Sequence, residues 1–388
     1  MENEGQALRD YGNRKKRLKR RRNIIISTLL LIAAVVGTAY LLSIMNRNYQ
    51  SYEVVKSIDN TENTVGYLSY GSSLVKYSRD GAVAYDRDGN PIWNGSYEMK
   101  EPIADTCGKY VVVADRGGKS VQIFNSKGSV GNFKTVYNIL KVEVASQGVV
   151  AALMENGEED YIYLYDVDGT ELVHKKTNVN DEGYSMDISL SNNGEKLVIS
   201  YLSVTKGELI STVAFYNFGE VGQNYTDGFV GGYAFKGEVV PRVVFVNNDT
   251  ACAYKDNGFL IYSMKEKSDM VHEELFEDSK IQSILYNDKY IGIVLEAGEA
   301  DPKKLLLYDL VGNKVLEKKL DFDYSKIFLT DKEIIMYDNV SCLILKINGR
   351  EKFRYTFDSN IEAFYPINDL DRYFFINSLK ISEILLAE

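Results

Sequence analysis

The chain has 388 residues, 45% hydrophobic and 12% aromatic, with 29 Tyr and 30 Gly against one Trp and five Pro. That length holds two or three ordinary domains or one built from repeats, and the composition favours strands joined by turns. The net charge of −10 is uneven: residues 1–22 carry nine Lys/Arg and three acids, leaving 36 basic and 52 acidic side chains in 46–388. A folded body that acidic excludes a nucleic-acid reader, which needs a basic face.

The first element follows a basic tail, residues 1–22, in which "RKKRLKRRR" (Arg14 to Arg22) puts eight basic side chains in nine positions. "IIISTLLLIAAVVGTAYLLSIM", Ile24 to Met45, is 22 residues without a charge. A helix of that length spans about 33 Å, enough for a bilayer core of about 30 Å. The sequence therefore predicts a transmembrane helix over 23–45 and a short stem over 46–50. The positive-inside rule would keep the tail in the cytoplasm and place 51–388 outside the cell membrane as a single-pass ectodomain. Gly37-Thr38-Ala39 offers a cleavage site for a signal peptide, but Tyr40-Leu41-Leu42 continues the apolar run past it. Ala33 and Gly37 form a small-xxx-small pair, a weak dimerisation signal.

Beyond the stem one pattern recurs. An apolar strand, a turn, a strand ending in an aromatic and a polar-Gly turn lead into a further strand, as in "SLVKYSRDGAVAYDRDG" and "GVVAALMENGEEDYIYLYDVDG". The closing residues are Tyr85, Phe124, Tyr165, Tyr216, Tyr262, Tyr308 and Leu345, at steps of 39, 41, 51, 46, 46 and 37 residues. Such a period with about four strands per unit marks propeller blades. No amphipathic helical spacing competes with it after residue 46. The predicted fold is all-β: a β-propeller of eight four-stranded blades over 51–388, with seven as the alternative. In "DRDGN" and "DVDGT" the Asp side chains cap turn backbone while Gly takes the positive-φ position. "PIWNGSY" becomes the outermost strand of its blade, with Trp93 packed between blades.

The eighth unit ends at Glu388 without an outer strand, and "SYEVVKSI" (Ser51 to Ile58) lacks a partner. Closure removes exposed strand edges, so 51–58 is expected to complete the last blade.

The "YDRDGNPIW" turn resembles the repeat of quinoprotein-like propellers, although Trp93 alone keeps the tryptophan. "SNNGEKLVISY", Ser191 to Tyr201, is similar to WD40- or TolB-type blades. The layout as a whole resembles the DUF5711 type, uncharacterised membrane-anchored proteins of Gram-positive anaerobes. That resemblance implies a propeller and no established activity, so it transfers no functional residue.

Chemical motifs are poor. His174 and His272 are the sole histidines, and "HEELF" lacks the second His of a zincin. Cys107, Cys252 and Cys342 have no metal-ligand or disulfide spacing. "RGGKS", Arg116 to Ser120, lacks the first Gly of a phosphate loop and precedes a strand, so it reads as a hairpin turn. "DRDGN" and "DVDGT" open like calcium loops but miss the later bidentate Glu. No serine elbow is present, and among 55 acids no carboxylate pair is singled out. No catalytic, cofactor or metal residue is predicted.

These observations favour a non-catalytic binding or scaffold module at the cell envelope, anchored in the membrane, with a protein or glycan partner. The alternatives are a sensory ectodomain working with a separate signalling protein, and a glycan hydrolase or lyase using carboxylates in the funnel.

Overall fold

The computed structural model describes residues 23, 25–38, 47–60, 63–178, 183–277, 279–296, 298, 302–368 and 370–388. It divides into two units, Met1–Asn48 with Glu388, and Tyr49–Ala387.

In the first unit, residues 25–38 are helical. No helix among the described residues is long and apolar enough to cross a membrane. The expected transmembrane helix over 23–45 is thereby corrected, and the assignment of the propeller to the outer face of the cell membrane falls with it. The basic tail 1–22 and residues 39–46 lie outside the described residues.

The second unit is an eight-bladed β-propeller in which every blade is a four-stranded antiparallel sheet. Blades 1 to 7 span 64–96, 102–134, 138–178, 184–236, 242–275, 280–319 and 326–356. In each of them the first strand lines the central channel and the fourth lies outermost. Blade 8 takes three strands from 363–387 and its outer strand, Ser51–Asp59, from the other end of the domain. That strand runs antiparallel to Lys380–Ala387, from Ser51 opposite Ala387 to Asp59 opposite Lys380.

The recurring aromatics have one structural job. At Tyr85, Phe124, Tyr165, Tyr216, Tyr262, Tyr308 and Leu345 the register to the fourth strand shifts by a β-bulge. Such a bulge raises local twist and re-aims a side chain. It carries the chain into the turn, where Asp86 Oδ1 accepts the Asn90 N–H at 2.7 Å and Asp309 Oδ1 accepts that of Asn313 at 2.8 Å. Gly89 and Gly312 stand at φ 74° and 92°, which an L side chain rarely adopts.

Second and third strands are apolar on both faces because both faces meet a neighbouring blade; Val111 to Ala114 are fully buried. The buried side chains form eight clusters, one at each junction between blades. Trp93 of blade 1 stacks on Phe124 of blade 2 with centroids 4.7 Å apart. Across the seam, Leu74 of blade 1 packs with Phe374, Ile376 and Ile381 of blade 8. Each fully buried large apolar side chain contributes about 1.5–3 kcal/mol relative to exposure, so the junctions carry the ring.

Candidate binding sites: the channel and two clefts

Inner strands present one edge to the channel, and edge N–H groups need partners. In blades 3 to 5 side chains of the preceding blade supply them. Asp105 Oδ2 accepts the N–H of Val144 at 2.8 Å, and Glu143 Oε2 that of Leu190 at 2.7 Å. Asp187 Oδ2 accepts the N–H of Val243 at 3.0 Å, and Ser189 Oγ that of Phe245 at 2.9 Å. Lys141 Nζ binds Asp187 Oδ1 at 2.6 Å, Glu143 Oε1 at 2.9 Å and the Ile188 carbonyl at 2.7 Å. Bulges at Ile139/Lys141 and Ser185/Asp187 shift the register just where these two side chains enter the channel.

The charges perturb one another. Burial, then the neighbouring Glu143, raises the Asp105 carboxyl to about 7, although the Val144 N–H and Lys141 pull the other way. Burial alone would lower the Lys141 pKa, but Glu143 and Asp187 outweigh it and the ammonium is held more firmly. Arg242, at the start of blade 5, is raised in the same way: Tyr286, Asp187 and Glu143 overcome its burial.

The opposite wall is built differently. The inner strands of blades 6, 7, 8 and 1 read KIQSILY, KIFL, AFYP and TVGYLSY and contain no Asp or Glu. Tyrosines bridge the blades here: the Tyr324 hydroxyl meets Ser283 Oγ at 2.9 Å, and that of Tyr365 donates to the Tyr67 carbonyl at 3.1 Å.

The turns after the inner strands form one rim of the ring and are tied blade to blade. Tyr70 donates to the Lys109 carbonyl at 2.6 Å, Ser146 N–H to that of Asn192 at 2.8 Å and Asn287 Nδ2 to that of Thr330 at 2.8 Å. Between blades 7, 8 and 1 the rim opens into a cleft of about 510 Å³, bordered by Ser69, Phe328, Asp331, Tyr365 and Asn368. Glu333 closes its base, held by Lys352 and by the Tyr373 hydroxyl at 2.6 Å; all three are buried. Burial and the Glu333 carboxylate push the Tyr373 hydroxyl far above its ordinary value.

A second cleft, of about 470 Å³, lies between blades 3 and 4. Its wall on blade 4 includes Asp227 from 218–228, an eleven-residue connection with two 3-10 turns, Gly222–Asn224 and Thr226–Gly228. The equivalent connection in blade 1, Asp86 to Asn90, has five residues. Lys175 Nζ lies 5.1 Å from the centroid of the Tyr216 ring, within cation–π range.

Residues 45–386 match the family of unknown function DUF5711. The chain belongs to that family. No curated protein matches the sequence. Among solved structures, this DUF5711 chain is similar to BamB from Moraxella catarrhalis, with a TM-score of 0.54 and 12% identity over 87% of this chain and 100% of that one. It is also similar to Saccharomyces cerevisiae Sqt1, with a TM-score of 0.53 and 13% identity over 88% and 99%. Likeness at such identities is likeness of fold.

The motifs weighed in the sequence are spread around the ring. His174 and His272 sit on the outer strands of blades 3 and 5, at 2.6 Å from Glu171 and 3.2 Å from Glu274. "RGGKS" is the hairpin between Tyr110–Asp115 and Ser120–Asn125. The carboxylates of "DRDGN" and "DVDGT" accept hydrogen bonds from turn backbone. The three cysteines are free thiols in three different blades. Among the described residues no three His, Cys, Asp or Glu converge as metal ligands. Asp105, Glu143 and Asp187 were invisible as a group because they come from three blades. The clefts had one legible signal, the polar, glycine-rich "FGEVGQNYTDG" that interrupts the repeat at 218–228.

Proposed function

We propose that this propeller is a binding module without catalytic chemistry of its own, seating a protein partner on the open rim over blades 7, 8 and 1. One observation carries this reading: the channel carboxylates are committed to the backbone of the next blade. A glycan hydrolase needs an acid and a second carboxylate that can both approach the substrate. Asp105, Glu143 and Asp187 instead stitch inner strands together, and two of them also hold Lys141. The cleft at blades 7, 8 and 1 combines aromatic rings with hydroxyl, amide and carboxylate groups, the mixture that anchors protein interfaces.

The test is co-purification and mass spectrometry with the wild-type chain and the variant Asp331→Arg, which alters an exposed rim side chain. A partner retained by the wild type and lost by the variant supports the assignment. Equal recovery with both, or turnover of a glycan abolished by Asp105→Asn, would overturn it.

A further inference from the structure

The seam between blades 8 and 1 brings a lysine, an asparagine and a glutamate together. Asn60 follows the outer strand of blade 8, Lys76 lies on the second strand of blade 1, and Glu362 precedes the inner strand of blade 8. Lys76 shares a strand face with Leu74, which packs on blade 8, and is buried at 7% exposure. Its Nζ lies 2.7 Å from Asn60 Oδ1. The amide is fixed in that orientation. Asn60 Nδ2 donates to the Asn377 carbonyl at 2.8 Å, and a carbonyl only accepts, whereas an ammonium only donates. With a C=O bond of about 1.23 Å, Nζ is no more than about 3.9 Å from Asn60 Cγ.

That contact sets a nucleophile beside an acyl carbon. Proximity of this kind replaces a bimolecular encounter and supplies a large effective concentration. The amine must be neutral to attack, and burial lowers the Lys76 pKa, with Glu362 opposing it. The nitrogen that would depart has proton carriers beside it. Asn60 Nδ2 lies 2.8 Å from the Tyr67 hydroxyl and 3.4 Å from Glu362 Oε2, and that hydroxyl donates to the same Glu362 oxygen at 3.0 Å. Glu362 is exposed, which leaves one side of the site open for ammonia to leave.

We propose that Lys76 and Asn60 join in an intramolecular isopeptide bond, formed by the folded chain without an added reagent. Nζ attacks Cγ; the Cγ–Nζ bond forms and the Cγ–Nδ2 bond breaks. The proton lost by Nζ passes to Nδ2 by way of Glu362 and Tyr67, and that nitrogen leaves as ammonia. Nothing is oxidised or reduced, and the product is an amide that closes residues 60–76 into a covalent loop. This is a single reaction of the chain with itself, separate from partner binding on the rim.

Intact mass spectrometry of the purified full chain tests this. The folded wild type should be about 17 Da lighter than its sequence, the mass of one ammonia. Chymotrypsin, cutting after Tyr67 and Tyr70, should release the peptides that hold Asn60 and Lys76 as one joined species. Lys76→Arg should keep the full mass, as should wild-type chain held unfolded in urea. Glu362→Gln, at an exposed position, should melt cooperatively as the wild type does yet react at least about a hundredfold more slowly. The proposal is overturned if the folded wild type keeps its full sequence mass and yields the two peptides separately after prolonged incubation at neutral pH. A joined peptide that forms equally fast in Glu362→Gln would overturn the proton-carrying role of Glu362.

Discussion

The two walls of the channel solve the same problem with different chemistry. Blades 2 to 4 satisfy the edges of their neighbours with carboxylates and a shared lysine, while blades 6, 7, 8 and 1 are bridged by tyrosine hydroxyls, to a serine and to a backbone carbonyl, and carry no acid on their inner strands. The first arrangement ties charge into the scaffold. The second leaves a broad cleft on the rim at the place where the ring is also closed by a strand from the opposite terminus. A repeat fold tolerates this asymmetry because each blade contacts only its neighbours.

The contrast can be broken most drastically at the seam. Deleting Ser51–Asp59 removes the outer strand of blade 8 and exposes the edge of Lys380–Ala387, so the cooperative thermal transition followed by circular dichroism should be lost. An unchanged melting temperature would show that closure rests elsewhere. Next in size, Lys352→Met removes the ammonium paired with the Glu333 carboxylate in the buried base of the open cleft. Breaking a buried pair costs about 3–5 kcal/mol, readable as a lower urea midpoint.

On the stitched wall, Asp187→Ala deprives the buried Val243 N–H and Lys141 of a partner. Urea unfolding should register about 1–3 kcal/mol for each group left unsatisfied. Asp105 sharpens the comparison through pH. Its folded value of about 7 lies above the ordinary 3.8, so between these the folded chain holds more of this proton than the unfolded chain. The Asp105 contribution to stability is then full below about pH 4 and is lost as pH rises through 7. Asp105→Asn should flatten that part of the stability–pH curve, and melts from pH 4 to 8 that stay parallel for the two proteins would contradict it. The smallest effect belongs to the rim. Asp331→Arg removes an exposed pair with Lys289 at 3.3 Å and should cost under about 1 kcal/mol while altering partner capture.

The sequence shows the ring more clearly than the sites. Tyr85 and its six counterparts recur because each of blades 1 to 7 has the same bulge before its outer strand, and a local requirement repeated seven times becomes a period. Asp-x-x-Gly turns are equally local, since the capping carboxylate and the positive-φ Gly lie within five residues. The strand at Ser51 could be assigned by elimination, as an unpaired strand facing an incomplete blade. Asp105, Glu143 and Asp187 offered no such handle: each looks like one acid among 55. The apolar run at 24–45 pointed the other way: its lack of charge predicted a membrane span, while no helix among the described residues is long and apolar enough to cross a membrane.

From the order of residues alone came the all-β class, the blade period and the turns, because backbone conformation and apolar alternation answer to neighbours along the chain. Which carboxylates meet which amides and where the rim opens were decided by the closing of the ring. Only closure brings side chains from different blades within hydrogen-bonding or electrostatic reach.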